Sequence, residues 1–368
     1  MVNISARNRH ELNGLCAVDL FAGAGGFSEA ARESGIQVVA AIENNQNACK
    51  TYRANLVEKS SNPPKLFSDD ITQLPVEKFI ELAGIEPGRI DLLMGGPPCQ
   101  GFSTHRINNA GVDDPRNALL LHYFSYLNAL QPKAFVIENV PGLLWARHEP
   151  YLNKFYELAA EGGYEVLPPQ VINAKDYGVP QNRKRVFILG FRGKAPERLQ
   201  WPPAPTHFAP ESEGVLTEGL PAWLTASEVF SLPIALDDPN SIHMNHTPEM
   251  VKVFESTPLN GGSRQQSGRI LPCHRQHNGH KDVYGRIDPT RPGPTMTTAC
   301  INPSKGRFLH PTEHHGITVR HAARFQTFPE TFIFHGGLMA GGTQVGNAVP
   351  IRLGVAVLET IIQALQDA

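Results

Sequence analysis

Residues 15–191 alternate short apolar runs with helical stretches, and this alternation narrows the fold more than any other feature. Residues 15–21 form an apolar run that ends in a glycine-rich turn, and 27–35 read as a helix stopped by glycine. Further strand-like runs lie at 38–42, 90–94, 134–137 and 185–191, with helical stretches at 46–56, 118–130 and 151–161. Short β-rich runs separated by helices predict parallel strands in a doubly wound α/β sheet. After about residue 192 this pattern stops. Residues 201–239 are rich in proline and aperiodic, and 260–316 carry many Gly, Arg, His and Pro. A smaller, irregular, β-rich second domain is expected there. Periodicity returns after Pro350, where Ile351, Gly354, Leu358, Ile361, Ile362 and Leu365 share one helical face. Proline at a helix start costs little, because its missing N–H would be unpaired anyway. A lone amphipathic helix needs an apolar partner, so the chain is expected to return to its first domain. The expected division is 1–191 with 336–368, and 192–335.

Charge and cysteine bound the function. Of 368 residues, 33 are Lys or Arg and 35 Asp or Glu, a net charge of −2 that by itself argues weakly against a polyanionic partner. The average hides two opposed stretches. Residues 195–250 hold one basic and eight acidic residues, whereas 264–324 hold ten basic, three acidic and seven His. The second is a candidate phosphate-facing surface; ordinary solvated charge is the alternative. Five scattered cysteines with no CxxC predict a reducing cytosol. The polar N-terminus is no secretory signal, and no run of 18 apolar residues predicts a membrane span. Cys273, His274, His277 and His280 crowd together but fit no zinc-finger spacing, so no metal is expected.

Residues 16–27 read as strand, glycine turn and helix. Gly23, Gly25 and Gly26 let the backbone turn sharply and approach a ligand. The dinucleotide fingerprint fails at its sixth position, Ser28. Glu43 follows 20 residues after Gly23, where an acid can accept from ribose hydroxyls. Asp70 can receive an adenine amino group or simply cap a helix.

The run 91–103 holds Gly96-Pro97-Pro98-Cys99-Gln100. A strand leads into a rigid Pro-Pro turn that presents Cys99, a candidate thiolate nucleophile; a structural cysteine is the alternative. Glu138 ends the strand at 134–137 and is a candidate general acid, or else a charge paired with arginine. Arg183 and Arg185 alternate in Gln181-Asn182-Arg183-Lys184-Arg185, which can place both on one face.

Together these residues strongly resemble the DNA (cytosine-5) methyltransferase family. The resemblance rests on Asp19-Leu20-Phe21-Ala22-Gly23-x-Gly25-Gly26, Glu43, Asp70, Gly96-Pro97-Pro98-Cys99-Gln100, Glu138-Asn139-Val140 and Gln181-x-Arg183-x-Arg185. It continues through Arg320-x-Ala322-Ala323-Arg324-Phe325-Gln326-x-Phe328-Pro329 and Gln344-Val345-Gly346-Asn347-Ala348-Val349-Pro350. It covers nearly the whole chain except roughly 195–260. It implies a Rossmann-like sheet that binds S-adenosyl-L-methionine and a smaller target-recognition domain.

Several roles follow from the resemblance. Cys99 adds to C6 of a cytosine flipped out of double-stranded DNA, and Glu138 protonates N3. Arg185 holds O2, Arg183 orients the Cys99 loop or a phosphate, and Asn139 braces the Glu138 loop. The cofactor is held by Asp19, Phe21, Gly23, Gly25, Gly26, Glu43, Asp70, Ile71, Pro97, Asn347 and Val349. Asn44 stands where some members carry an adenine-stacking aromatic, so Phe21 or Ile71 supplies apolar contact instead. Gln100, Ser103, Arg264, Arg269, Arg275 and Arg286 are candidate DNA contacts, arginine being the commonest reader of guanine edges. The implied protein is a cytoplasmic, monomeric enzyme, at the nucleoid when bound to DNA, and is paired with a restriction endonuclease. The competing readings are an RNA cytosine methyltransferase on the same scaffold and a catalytically silent DNA-binding relative. The transfer-RNA branch carries a Cys-Phe-Thr run that is absent here.

Overall fold

The computed structural model describes residues 14–98, 118–268 and 282–367. They divide into two compact units. The first comprises Met1–Ile172, Lys184–Ala204 and Leu353–Ala368, and the second Asn173–Arg183 and Pro205–Arg352. Relative to the expected 192–335, the second unit loses 192–204 to the first unit and gains 173–183 and 336–352.

The first unit is built on one sheet. Its strands are β1 (Cys16–Leu20), β2 (Gln37–Ile42), β3 (Lys65–Phe67), β4 (Leu92–Gly95), β5 (Ala134–Asn139), β6 (Tyr164–Val166), β7 (Gln170–Asn173) and β8 (Lys184–Arg192). The order is β3-β2-β1-β4-β5-β8-β6, with β7 also pairing β8. β1 through β5 pair in parallel; β8 runs antiparallel to β5 and β6. The central strands are buried along their length, apart from partly exposed Cys16 at the start of β1: Val18, Leu20, Leu93, Met94, Phe135 and Ile137 are all inaccessible. Such continuous apolar runs belong to strands covered on both faces. The covering helices include α1 (Gly26–Glu33), α2 (Gln46–Tyr52), α3 (Val76–Ala83), α4 (Ala118–Leu130) and α5 (Glu149–Glu161). One core is an aromatic stack of Phe79, Tyr123, Phe124, Phe135, Phe155 and Tyr164. Its buried phenols are satisfied: Tyr123 donates to the Leu93 carbonyl at 2.9 Å and Tyr164 to that of Pro132 at 2.9 Å. β3 and α3 left no mark in the sequence pattern, because β3 has three residues and each is at least partly exposed. The C-terminal helix, Ile351–Gln366, buries the face that its periodicity defines, apart from half-buried Leu365.

The stretch Gly337–Gln366 is long and apolar enough to cross a bilayer by composition, but it is mostly buried in the protein and its helix breaks at 348–350.

The second unit departs from the β-rich expectation. Among its described residues only isolated bridges occur, such as Phe208↔Ala222 and Arg286↔Leu309, outside the end of β7. It holds α6 (Glu213–Glu218), α7 (Ser227–Phe230), α8 (Pro248–Ser256), α9 (Val319–Phe325) and α10 (Gly337–Asn347). Proline removes ladder donors, and the intervening loops bond elsewhere. Their carbonyls go to buried arginines. Arg286 is fully inaccessible and donates to the carbonyls of Phe254, Thr257, His310 and Glu313 and to His314 Nδ1. Arg324 gathers the carbonyls of Val229, Leu232 and Pro233 and pairs with Glu330 at 2.8 Å. Arg320 pairs with Asp238 at 2.5 Å. This corrects two expected DNA contacts. Arg286 is a scaffold residue with its guanidinium spent inside, and Arg264 is likewise buried. Arg269 and Arg275 lie outside the described residues.

Arg286→Met should remove five hydrogen bonds, two of them buried and three partly buried. We expect a loss of about 3 kcal/mol and a fall in thermal midpoint of about 6–12 °C by calorimetry. A base-reading arginine would change sequence selectivity and leave the midpoint alone.

Histidines add a pH term. Burial lowers His310 to about 4 and His321 to about 3, with neighbouring His and Arg charges adding to it. Both groups favour the neutral form in the fold. Their stabilisation is present above the unfolded histidine range and is lost as pH falls from about 6.5 towards 4. His321 also completes a capping box with Thr318. His321→Gln keeps that box and removes the titration. Its thermal midpoint should therefore fall less between pH 7 and 5 than that of the wild type.

Candidate active site

Strand register brings the first unit's chemistry to one edge. Leu20 pairs with Ile42 on one side and Gly95 on the other, and Gly95 pairs with Ile137. The next residues along these strands are Phe21, Glu43, Gly96 and Glu138. Phe21, Glu43 and Gly96 leave the sheet together at its carboxyl edge, while β5 continues through Glu138 to Asn139, paired with β8. β1 has β2 on one side and β4 on the other, the switch point at which open α/β sheets bind ligands.

The glycine turn after β1 uses the left-handed region three times: Phe21 at φ 58°, Gly23 at 57° and Gly25 at 96°. A bulky residue such as Phe21 adopts it only when its surroundings impose it. At Gly25 a side chain is excluded twice, since a Cβ would also lie 2.3 Å from Leu56 Cδ1. At Gly23 a Cβ would meet nothing within 4 Å, so the turn opens onto free space. Gly26 begins α1 and is buried.

Two carboxylates fasten this turn. Glu43 accepts the Gly23 N–H at 2.8 Å and the Asn45 N–H at 2.7 Å. Burial raises its pKa, and those bonds oppose the rise. The ribose role expected of Glu43 must share the carboxylate with this turn-holding one, in which the Asn44 N–H also takes part; of about four acceptor sites, one remains. Asp19, fully buried, accepts from Ser28 Oγ at 2.6 Å. Asp70 is exposed and caps its own turn, accepting the Thr72 N–H at 2.9 Å and hydroxyl at 2.8 Å. These bonds hold its pKa below the usual carboxylate range. Ile71 is buried in the sheet's core. Asn44 is exposed.

At the neighbouring strand end, Glu138 meets Arg185. The two come from adjacent antiparallel strands, with Arg185 Nε 2.8 Å from Glu138 Oε1 and both side chains about nine-tenths buried. Burial lowers the Arg185 pKa, and Glu138 opposes that. Glu138 Oε2 looks towards Gly96, where a Cβ would sit 3.5 Å away. Asn139 Nδ2 donates to the Pro97 carbonyl at 3.2 Å, and its Oδ1 accepts from Val140 N–H at 2.7 Å. Asn139 thus holds the peptide of buried Pro97, two residues ahead of Cys99. Cys99, Gln100 and Ser103 lie outside the described residues, as do Cys273, His274, His277 and His280.

Arg183 and Arg185 have different partners. Arg183 lies just before β8, in the second unit, fully buried. It donates to the carbonyls of Met296 (2.7 Å), Gly346 (2.8 Å) and Ala348 (3.0 Å). The expected loop or phosphate role is replaced by a structural one. Gln181 joins the same knot: its Oε1 accepts from Met296 N–H, and its Nε2 donates to Phe325 O and Gln326 Oε1. Asn347 is exposed at the end of α10, and Val349 is buried nearby in sequence.

Ser28 and Tyr52 are the residues that sequence reasoning missed. Ser28 registered only as the position that breaks a dinucleotide fingerprint, yet its hydroxyl bridges Asp19 and the Tyr52 phenol.

Comparison with known proteins gives the family. The family model described as C-5 cytosine-specific DNA methylase matches residues 15–363. The Type II methyltransferase M.XorII of Xanthomonas oryzae pv. oryzae is 30% identical over 95% of this chain and 85% of its own. M1.HphI of Haemophilus parahaemolyticus, another Type II methyltransferase, is 32% identical over 95% of this chain and 87% of its own. Among solved structures, a DNA modification methyltransferase encoded within an E. coli prophage superposes with a TM-score of 0.70 at 24% identity, covering 96% of this chain and all of that one. A Spodoptera frugiperda DNMT2 variant gives 0.60 at 16%, covering 95% and 99%. The chain belongs to the C-5 cytosine-specific DNA methylase family.

Proposed function

We propose that this enzyme transfers a methyl group from S-adenosyl-L-methionine to C5 of a cytosine flipped out of double-stranded DNA, as the modification half of a restriction-modification system. The observation that carries the reading is the buried Glu138–Arg185 pair beside a Pro97 peptide held by Asn139. This arrangement suits a planar ring presented edge-on, with a proton donor and a fixed cation along that edge. Membership of the family and the Type II relatives support the choice of DNA.

The residues at the glycine turn fit the cofactor. Gly23 opens onto free space, Phe21 offers an apolar ring, and Glu43 has acceptor capacity for a hydroxyl. When bound, S-adenosyl-L-methionine supplies an electrophilic sulfonium methyl group.

Cytosine C5 is a weak nucleophile. Cys99, as thiolate, adds to C6 and forms an S–C bond while the C5=C6 electrons move towards C5. Glu138 gives its proton to N3, so charge does not accumulate on the ring. Arg185 keeps the Glu138 carboxyl in place and holds O2. Asn139 keeps the peptide of Pro97, two residues ahead of Cys99, in position. After methylation a base removes the C5 proton, whose bonding electrons re-form C5=C6 as the S–C bond breaks; Cys99 leaves as thiolate and N3 returns its proton to Glu138. The target base must leave the duplex stack, at a cost of a few kcal/mol. Target recognition is assigned to the second unit.

DNA carrying 5-fluorocytosine should trap a covalent adduct at Cys99, located by peptide mass spectrometry, because fluorine cannot leave as a cation. Cys99→Ala should form none. Turnover without an adduct, or methylation of RNA in preference to DNA of the same sequence, would overturn the scheme. Glu138→Gln should lower kcat by about 10²–10⁴-fold while DNA affinity stays within a few-fold. Single-turnover kinetics separate these two quantities.

A further inference from the structure

Asp19 stands at the root of the glycine turn, and no cation among the described residues acts on it. The groups that do are Glu43 from the end of β2, Ser28 from α1, Tyr52 from α2 and Tyr123 from α4. All three members of its hydrogen-bond chain are buried: Asp19 is 1% exposed, Ser28 2% and Tyr52 0%. Ser28 Oγ lies 2.6 Å from Asp19 Oδ2 and 2.8 Å from the Tyr52 hydroxyl. Each hydroxyl has one proton. Ser28 gives its own to the carboxylate, so Tyr52 must donate to Ser28. Burial first, and the Asp19 charge second, push the Tyr52 phenol well above its usual range, so it remains a donor. The chain therefore runs one way. Ser28 also supplies its backbone N–H to Asp19, which serves the first turn of a helix whose N-cap, Gly25, has no side chain.

We propose that Ser28 and Tyr52 are positioning residues for cofactor binding, acting through Asp19: the Tyr52-to-Ser28-to-Asp19 chain holds that carboxylate ionised beneath the glycine turn. The proposal rests on the reading of this edge as the S-adenosyl-L-methionine site. Burial raises the Asp19 pKa to about 7, with Ser28 opposing the rise and Glu43 adding to it. A sulfonium cofactor favours the ionised form. Its affinity should therefore rise with pH through neutrality and pull Asp19 towards ionisation as it binds. Glu43 titrates too and is coupled to Asp19 through charge, but it shares no hydrogen bond with Tyr52 among those described, so loss of the phenol acts first on the Asp19 transition.

The test is isothermal titration of the full-length protein with S-adenosyl-L-methionine from pH 5.5 to 9, with circular dichroism to check folding. For the wild type, affinity should climb with a midpoint near 7. Tyr52→Phe keeps the packed ring and removes one donor. Its midpoint should move up by about one pH unit, weakening affinity about fivefold at pH 7 and leaving it unchanged at pH 9. Ser28→Ala should do the same, and Ser28→Thr, which restores a hydroxyl, should return the wild-type profile. An affinity independent of pH in the wild type, or an unmoved midpoint in a folded Tyr52→Phe, overturns the proposal. A folded wild type that binds no S-adenosyl-L-methionine overturns the site assignment itself and this proposal with it.

Discussion

The parallel pairing of β1 with β4 is the constraint on which the first unit depends. Side chains alternate along a strand, so a one-residue slip would turn Asp19 and Met94 to the opposite faces and carry Phe21 and Gly96 out of line. Several bonds lock the register at the far end of the pair. Asp91 Oδ2 accepts the Cys16 N–H at 2.8 Å, and its other oxygen pairs with Lys133 at 2.7 Å. At the near end, Gly95 is closed in by Tyr123 and the Leu20 carbonyl, each within about 3 Å of where a Cβ would be. Tyr123 also donates to Leu93 from the helix above. With that register fixed, the glycine turn and the Pro-Pro turn have nowhere to go but side by side.

The second unit solves the same problem, satisfying buried backbone, by other means. Without a sheet ladder, its loop carbonyls need donors that can reach several at once. A guanidinium offers five N–H groups in a rigid plane, and each of Arg183, Arg286, Arg320 and Arg324 gathers segments distant in sequence. Arg183 unites residues near 296 with the turn at 346–348, and Gln326 adds its own bonds to Val345 O and Ala348 O. Gly346 lies so close to the Thr297–Thr298 backbone that a Cβ would sit 2.3 Å from it. Four stretches of sequence, around Gln181, Met296, Gln326 and Gly346, thus form one buried knot.

This explains which parts of the molecule were legible in advance. The alternating runs revealed the sheet because strands buried on both faces need unbroken apolar sequence, and the C-terminal helix showed itself by period. The turn at Gly23–Gly26 and the place of Glu138 near the end of its strand were readable because glycine and a buried acid are costly unless used. The role of arginine was not readable. Arg183, Arg264 and Arg286 look alike in sequence to a surface arginine, since nothing in a sequence states whether a guanidinium meets water or carbonyl oxygens. Ser28 and Tyr52 escaped for a related reason: a hydroxyl carries no pattern, and only the fold brings residues 19, 28 and 52 within bonding distance.

The same distinction changes how charge should be read. A chain of net charge −2 can attract a polyanion only by segregating its charges, and 264–324 looked like the positive side of such a separation. Four of its ten basic residues are interior, however: Arg264, Arg286, Arg320 and Arg324. Arg320 and Arg324 are neutralised by Asp238 and Glu330, and Asp238 is itself one of the acids of the opposed 195–250 stretch. Part of that opposition is therefore two halves of a single buried pair. Arg307 is committed to Asp282, while Arg291 and Lys305 stay exposed. An outward field is set by charges that water can reach, not by a running sum along the chain. Among the described residues of this stretch, the exposed cations left for the proposed duplex contact are Arg291 and Lys305, a smaller and more local set than the stretch total implies.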